Sequence, residues 1–118
     1  MKRVLVTGAC GNIGANVVDL LVERGYSVRA VDLDTQAGRN KAQRWGGRVD
    51  LRFESICNDS LVRSAVADVD HVIHLAAMVP PATDVDQAQG YAVNVVATRS
   101  ILRACEAAAK RPRLTFTS

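Results

Sequence analysis

The chain has 118 residues, of which 48% are hydrophobic and 23% are charged, and its formal net charge is +3. These values suit one globular domain and exclude disordered and fibrous chains. The basic residues are scattered and the aromatic residues are few, so nucleic acid is not indicated as a partner. No apolar run approaches the length of a membrane span, and the run after Met1 is too short for a signal peptide.

The first half of the chain alternates short apolar runs with helical patterns. Apolar and β-branched runs predict strands at residues 4–6, 28–32 and 49–53. Apolar residues recur at helical spacing from Ile13 towards Gly25, which predicts an amphipathic helix. Residues 36–47 predict a short helix and a turn. Either Asn58 or Asp59 is expected to cap a further helix.

The second half continues the alternation. Residues 72–75 predict a fourth strand, Pro80 and Pro81 predict a loop, and a long helix is expected from about Asp86 to Lys110. A fifth strand is expected to begin at residues 114–117. The alternation predicts an α/β fold, a Rossmann-type doubly wound parallel sheet of order 3-2-1-4-5 that stops after strand five. Residues 1–118 are interpreted as one dinucleotide-binding domain.

Neither the cysteines nor the histidines form a metal-binding pattern. Cys10, Cys57 and Cys105 lie far apart and make no CxxC pair, which argues against a disulfide framework or a zinc site and favours the cytoplasm. Cys105 is expected to be a small buried hydrophobic residue. His71 and His74 stand three apart on a strand and are expected to point to opposite faces.

The glycine loop between the first strand and the first helix is the strongest functional signal. The segment from Thr7 to Gly14 places its glycines as G-x-x-G-x-x-G. Gly8 permits a tight turn, Gly11 admits a pyrophosphate close to the backbone, and Gly14 allows close helix packing. The N–H groups at the start of the helix favour anionic phosphates, so the loop predicts a bound dinucleotide. A purely structural turn is the alternative.

Asp32 ends the second strand about 20 residues beyond the glycines, where an acid accepts hydrogen bonds from the adenosine ribose. Asp32 and the nearby Asp34 would repel a 2′-phosphate. We therefore expect NAD as the cofactor, with NADP less favoured. Arg39 and Lys41 lie close enough in sequence to reach a phosphate and keep NADP open.

Four motifs in order resemble the N-terminal part of the extended short-chain dehydrogenases/reductases, the NAD-dependent epimerase/dehydratase family. The glycine loop is similar to the family's TGxxGxxG motif. Residues 74–77 (HLAA) resemble its HxAA segment, and residues 94–98 (NVVAT) resemble its NVxGT motif. Residues 114–118 (LTFTS) resemble the start of the strand that leads to its serine cluster, with Ser118 matching the serine just before the catalytic hydroxyl.

The resemblance implies cofactor contacts along the chain. Besides the loop glycines, Asn12 and Ile13 would lie on the pyrophosphate, and Asp32 and Leu33 beside the ribose. Adenine would be held by a pair that is usually acid and aliphatic in the family, and is serine and isoleucine here. In this chain the adenine pair would be Ser55 and Ile56. Leu75, Ala76 and Ala77 would flank the middle of the dinucleotide, and Asn94 would lie near the nicotinamide.

The family's catalytic pair is not found in these residues. It uses a Ser or Thr with a Tyr and a Lys spaced Y-x-x-x-K, in which the lysine lowers the pKa of the tyrosine. Tyr26 is followed four residues later by Ala30, and Tyr91 by Val95. We therefore expect no catalytic residue and no metal site in this chain. We interpret it as a fragment that binds cofactor without turnover and lacks the family's substrate domain.

The resemblance implies that the parent protein is an oxidoreductase or isomerase acting on a sugar, nucleotide sugar or sugar acid. Two alternatives remain open: a Rossmann module that senses a dinucleotide without catalysis, and an NADP-binding reductase of the atypical branch. The fifth strand would be an exposed edge of the sheet beside apolar surface, so we expect this chain to self-associate. We also expect the parent protein to be a homo-oligomer.

Overall fold

A parallel sheet of five strands forms the centre of the computed structural model, which describes residues 2–78 and 82–117. Its spatial order is β3-β2-β1-β4-β5, and each neighbouring pair is parallel. The predicted α/β fold and strand order are confirmed. The strands are β1 (Arg3–Thr7), β2 (Ser27–Asp32), β3 (Val49–Phe53), β4 (His71–His74) and β5 (Arg113–Phe116). The loop expected at Pro80–Pro81 and the motif position of Ser118 lie outside the described residues.

Helices connect the strands on both faces of the sheet. They are α1 (Asn12–Glu23), α2 (Gln36–Ala42), α3 (Asp59–Val66), α4 (Ala82–Val85), α5 (Gln87–Tyr91) and α6 (Ala97–Ala107). A 3₁₀ turn (Gln43–Trp45) follows α2, and a π-helical turn (Ala92–Val96) joins α5 to α6. No helix within the described ranges has the length and apolar character needed to cross a bilayer.

Alternate residues of β1, β2 and β4 pack into two separate apolar cores, one on each face of the sheet. Val4 and Val6 of β1 pack with Val18 of α1 on one face, and Trp45 closes that core. Leu5 packs on the other face against α3 and α6, where Cys105 is buried as expected for a small hydrophobic residue. This period-two alternation buries both faces of the sheet and gives a three-layer arrangement.

Side-chain hydrogen bonds cap the N-termini of three helices, α2, α3 and α5. The Asn58 side chain accepts a hydrogen bond from the Leu61 N–H at 3.3 Å, so Asn58 and not Asp59 caps α3. Thr35 caps α2, and Asp86 accepts from the Gln89 N–H at 2.9 Å to cap α5. The expected start of the long helix near Asp86 is therefore correct.

Two sequence-based boundaries are wrong, and the predicted long helix is not continuous. Strand β4 ends at His74, and Leu75 lies in the following loop, because the Thr7 hydroxyl oxygen accepts from both the Leu75 and the Ala76 N–H and turns the backbone. The long helix ends at Ala107 instead of Lys110, since the chain must extend to bring Arg113 beside Asp70. The helix is also interrupted, because Ala97 donates its N–H to the carbonyl of Ala92 in the π-helical turn.

Candidate functional site

The backbone of the loop between β1 and α1 requires glycine at two positions. Gly8 has a φ of +67°, and a Cβ there would lie 2.8 Å from the Ala76 nitrogen. A Cβ on Gly14 would lie 2.0 Å from the Gly8 carbonyl oxygen, so Gly14 lets α1 pack on the loop. At Gly11 the φ is −72° and the nearest atom to a Cβ is 3.4 Å away. The fold therefore accommodates a side chain at Gly11.

The N-terminus of α1 differs from the starts of α2, α3 and α5. Gly11 is its N-cap, makes no side-chain cap bond, and is followed by a first turn without an acidic residue. The N–H groups of the first turn, from Asn12 to Gly14, have no acceptor within their own helix. Their alignment with the helix dipole suits an anion placed at this end of α1.

Asp32 at the end of β2 holds the glycine loop in place. One carboxylate oxygen accepts the Cys10 N–H at 2.8 Å, and the other accepts the Leu33 N–H at 2.8 Å. A carboxylate offers about four acceptor positions, so two remain for hydroxyl groups of a ligand. Asp32 therefore combines a bracing contact with free acceptor capacity.

A cleft of about 520 Å³ opens at the carboxyl ends of the strands, which we call the glycine-loop cleft. Ligands of open α/β sheets bind at this edge, where the strand order reverses. Nine of the residues singled out from the sequence line it: Gly8, Gly11, Asp32, Leu33, Ser55, Ile56, Leu75, Ala76 and Ala77. Asn12, Ile13 and Gly14 form the start of α1 beside the cleft and are not among its lining residues, and Asn94 lines a neighbouring cleft.

Five further residues line the glycine-loop cleft without having been singled out from the sequence. They are Val31, Glu54, Met78, Gln89 and Val93. Val31, Glu54, Met78 and Val93 are each next in sequence to a predicted position, and this adjacency is the signal that points to them. Gln89 lies five residues before Asn94 and carries no such signal. Glu54 is the most informative because it is the carboxylate next to Ser55.

The far end of the glycine-loop cleft combines apolar and polar groups. Leu33 lines this end of the cleft, and its side chain is 56% exposed. The Ser55 hydroxyl accepts the Cys57 N–H at 3.1 Å, so part of its hydrogen-bonding capacity is already used. Glu54 supplies a negative charge one residue before Ser55. This end can therefore hold a flat apolar ring and accept hydrogen bonds from its edge.

Asn94 lies in the π-helical turn and clamps the loop after β4. Its amide oxygen accepts the Met78 N–H at 2.8 Å, and its amide nitrogen donates to the Met78 carbonyl at 2.8 Å. Asn94 and Met78 also line a second cleft of about 470 Å³ together with Thr98 and Phe116. Leu75, Ala76, Ala77 and Met78 line both clefts and form the wall between them.

The two histidines point to opposite faces of β4, as predicted. The His71 Nε2 lies 2.7 Å from the Thr115 hydroxyl on β5, whereas the buried His74 lies between Thr7 and Thr98. Burial lowers the pKa of His74 below its usual value of 6.5. In the part of the chain that the structure describes, no group of three His, Cys, Asp or Glu residues could hold a metal ion.

The basic residues near Asp32 already have partners. Arg39 pairs with Asp34 at 2.5 Å, and this bond lowers the pKa of Asp34. The Lys41 ammonium lies 3.5 Å from the Asn12 side-chain oxygen, close to the start of α1. Burial raises the pKa of the Cys10 thiol, and the Asp32 carboxylate raises it further. Cys10 is therefore held as a thiol within the loop.

Comparison with known proteins agrees with this geometry. The model of the NAD dependent epimerase/dehydratase family matches residues 4–118. The chain is 30% identical to sterol-4-alpha-carboxylate 3-dehydrogenase, decarboxylating, from Bos taurus over 91% of this chain and 28% of that protein. It is 32% identical to D-erythronate dehydrogenase from Cupriavidus necator over 98% of this chain and 38% of that protein.

A solved structure gives the same result. A short-chain dehydrogenase/reductase superfamily protein from Agrobacterium tumefaciens with bound NAD is 32% identical, with a TM-score of 0.78, over 98% of this chain and 32% of that one. The chain thus spans about a third of the length of the relatives it matches. The resemblance seen in the sequence motifs is confirmed, and the chain belongs to the NAD dependent epimerase/dehydratase family.

Proposed function

We propose that this chain is the NAD-binding part of an NAD-dependent dehydrogenase, epimerase or dehydratase. The observation that carries the proposal is the glycine-loop cleft. There a loop that leaves space at Gly11, the uncapped start of α1 and the carboxylate of Asp32 meet at the carboxyl ends of the strands. A dinucleotide supplies what these groups need, which is a pyrophosphate for the N–H groups and ribose hydroxyls for the acid.

In this proposal each part of the cleft takes one part of NAD. The pyrophosphate lies on Gly11, Asn12 and Ile13, and the adenosine ribose on Asp32 with Leu33 beside it. Adenine lies between Leu33 and Ile56, with Ser55 and Glu54 at its edge. The chain from Leu75 to Ala77 flanks the middle of the dinucleotide, and Asn94 lies on the nicotinamide side.

The charges around Asp32 support NAD over NADP. An additional 2′-phosphate would approach the Asp32 carboxylate, and the nearest guanidinium, on Arg39, is already paired with Asp34. Lys41 is the remaining nearby cation, and it lies towards Asn12 at the start of α1. Repulsion at the ribose therefore outweighs attraction, and NADP should bind more weakly.

The activity of the whole protein is also proposed. We infer hydride transfer between a nicotinamide and a sugar, nucleotide sugar or sugar acid, for which the relative named D-erythronate dehydrogenase gives support. The relative named sterol-4-alpha-carboxylate 3-dehydrogenase makes a sterol the second candidate substrate class. Because neither Tyr26 nor Tyr91 begins a Y-x-x-x-K motif, these 118 residues should bind the cofactor without completing the reaction.

Calorimetric titration of the chain with NAD and with NADP tests the cofactor assignment. NAD should bind more tightly than NADP. Substituting Asp32→Ala removes the ribose acceptor and also the brace on Cys10, so both cofactors should lose affinity. The loss should be larger for NAD, by about tenfold for the lost hydrogen bonds to a charged group. Glu106→Ala, which removes an exposed carboxylate on α6, is the control. Equal losses for NAD and NADP would refute the assignment.

A further inference from the structure

A chain of hydrogen bonds runs through the buried imidazole of His74 between β1 and α6. The His74 Nδ1 lies 2.6 Å from the Thr7 hydroxyl oxygen, and its Nε2 lies 3.0 Å from the Thr98 hydroxyl oxygen. Thr7 ends β1 directly before Gly8, and Thr98 is two residues past the π-helical turn, as the second residue of α6. His74 therefore connects the start of the glycine loop with the turn that carries Asn94.

The partners of the two hydroxyl groups fix the position of the imidazole proton. The Thr7 hydroxyl oxygen accepts the Leu75 and Ala76 N–H groups, both at 3.1 Å, and the Leu75 N–H is shared with the Thr7 carbonyl at 3.2 Å. With both lone pairs of the hydroxyl in use, its own hydrogen is donated to Nδ1. The Thr98 hydroxyl donates to the Asn94 carbonyl at 3.0 Å, so it accepts from Nε2. Every donor and acceptor is satisfied when His74 is neutral and carries its proton on Nε2.

The same chain of bonds reaches the wall of the glycine-loop cleft at two points. Thr7 holds the N–H groups of Leu75 and Ala76 directly. Thr98 holds the carbonyl of Asn94, whose side chain clamps the backbone of Met78. The imidazole is thus linked to the start of the loop Leu75–Met78 through Thr7, and to its end through Thr98 and then Asn94.

We propose that neutral His74 is a positioning residue, which holds the loop Leu75–Met78 and Asn94 at the glycine-loop cleft so that dinucleotide binding depends on its Nε2–H tautomer. This inference rests on the proposed function for its ligand. His74 contacts no ligand in this scheme and acts through Thr7 and Thr98. Protonation places a second N–H opposite the Thr7 hydroxyl, which must then give up a backbone N–H to accept it.

Acid should therefore weaken binding through His74. Within residues 2–78 and 82–117, the groups bonded to or paired with His74 are Thr7 from β1, Thr98 from α6 and Phe116 from β5, and none of these three ionises. Burial lowers the pKa of His74 below 6.5, so the folded state disfavours the extra proton. Stability should fall as the pH drops below about 6.5 and should level off below the folded-state pKa, because the unfolded chain takes up the proton first. Affinity should fall only below the folded-state pKa of His74, where the folded chain itself takes up the proton.

The tautomer is tested first, without any ligand. Nitrogen-15 NMR of the imidazole rings in the 118-residue chain should show His74 as the Nε2–H tautomer. Its pKa should be lower than that of a solvent-exposed histidine. Amide hydrogen exchange then tests the positioning. His74→Phe should speed exchange at Met78, Leu75 and Ala76 more than at amides of β2. Finding the Nδ1–H tautomer, or uniform acceleration across the sheet, would overturn the proposal.

Binding is tested by titrating the same chain with NAD from about pH 8 to about pH 5. Affinity of the unsubstituted chain should fall about tenfold on acidification, the equivalent of one buried hydrogen bond. His74→Gln offers an amide donor and acceptor that cannot ionise, so it should bind more weakly but without this pH dependence. His71→Gln is the matched control and should keep the full pH profile.

The outcomes separate the two proposals. If the unsubstituted chain fails to bind NAD while the tautomer and the exchange pattern are as expected, the proposed function fails and the positioning of the loop by His74 stands. If NAD binds but His74→Gln keeps the full pH dependence, the role of His74 is refuted and the proposed function stands.

Discussion

Replacing Gly11 by alanine separates what the fold needs from what a ligand needs. The φ of −72° is open to any residue, and the nearest atom to the new Cβ is the Gly8 oxygen at 3.4 Å. Alanine restricts the unfolded chain, which stabilises the fold by about 0.4–1 kcal/mol. It is also a poorer N-cap than glycine, which costs a similar amount. The free energy of unfolding should therefore change by less than about 1 kcal/mol.

The effect on NAD binding should be much larger. A phosphate oxygen must come within about 2.9 Å of the loop nitrogens to accept their hydrogen bonds. A methyl group on Gly11 would hold the pyrophosphate away from the start of α1. Each lost bond to the charged phosphate costs about 1.5–3 kcal/mol, which corresponds to a loss in affinity of at least about tenfold.

Gly47→Ala is the matched control, because a Cβ there meets no atom within 4 Å and Gly47 is absent from the glycine-loop cleft. Unfolding in urea is followed by the fluorescence of Trp45, the one tryptophan of the chain, and NAD binding by calorimetry. Gly47→Ala should bind NAD normally. The reasoning is wrong if Gly11→Ala binds NAD as well as the control, or if it unfolds the chain.

Three further predictions concern stability and association. Asp19→Ala leaves the buried Trp45 N–H without its 2.6 Å acceptor and should cost about 1–3 kcal/mol in urea unfolding at neutral pH. Because the Asp19 pKa is lowered by that bond, the difference should shrink as the pH falls below 3.8, and a constant difference would contradict this. Arg29→Met removes donors to the carbonyls of Ala65 and Ala67 and should cost about 3 kcal/mol; an unchanged urea midpoint would refute it. The chain should self-associate in sedimentation through the edge strand β5, and a clean monomer of high thermal stability would argue against this.

The sequence was sufficient for the sheet and for most of the cleft because those features follow local rules. Apolar runs and glycine positions are set by backbone geometry, so β1, the loop and α1 were predicted from residues in one segment. Asp32 was identifiable because it ends a strand next to β1 in the predicted order. The carboxyl ends of parallel strands meet at one edge, which brought Ser55 and Leu75 to the same cleft.

The features that were missed depend on contacts between distant segments. The sequence of residues 86–110 does not predict the π-helical turn, because the helical spacing of apolar residues continues through it. The turn coincides with the clamp between Asn94 and Met78, 16 positions apart in the chain. The end of β4 likewise depends on the Thr7 hydroxyl, 68 positions from Leu75. Such hydrogen bonds between distant segments change the local backbone structure without changing the spacing of apolar residues in the sequence, so the spacing does not predict them.

Asn94 has two structural roles. As a packed amide it satisfies the backbone of Met78, and as a motif residue it belongs to the wall of a second cleft beside the first. The clamp uses one hydrogen bond of the Asn94 amide oxygen and one of its amide nitrogen, and it fixes the Met78 end of the loop Leu75–Met78. In the proposed complex Asn94 would influence a dinucleotide by holding this loop. Asn94 lies within the π-helical turn, where an i→i+5 hydrogen bond replaces the regular α-helical one. A local irregularity of the helix is thus tied to the shape of the glycine-loop cleft, and functional sites are where such turns are commonly retained.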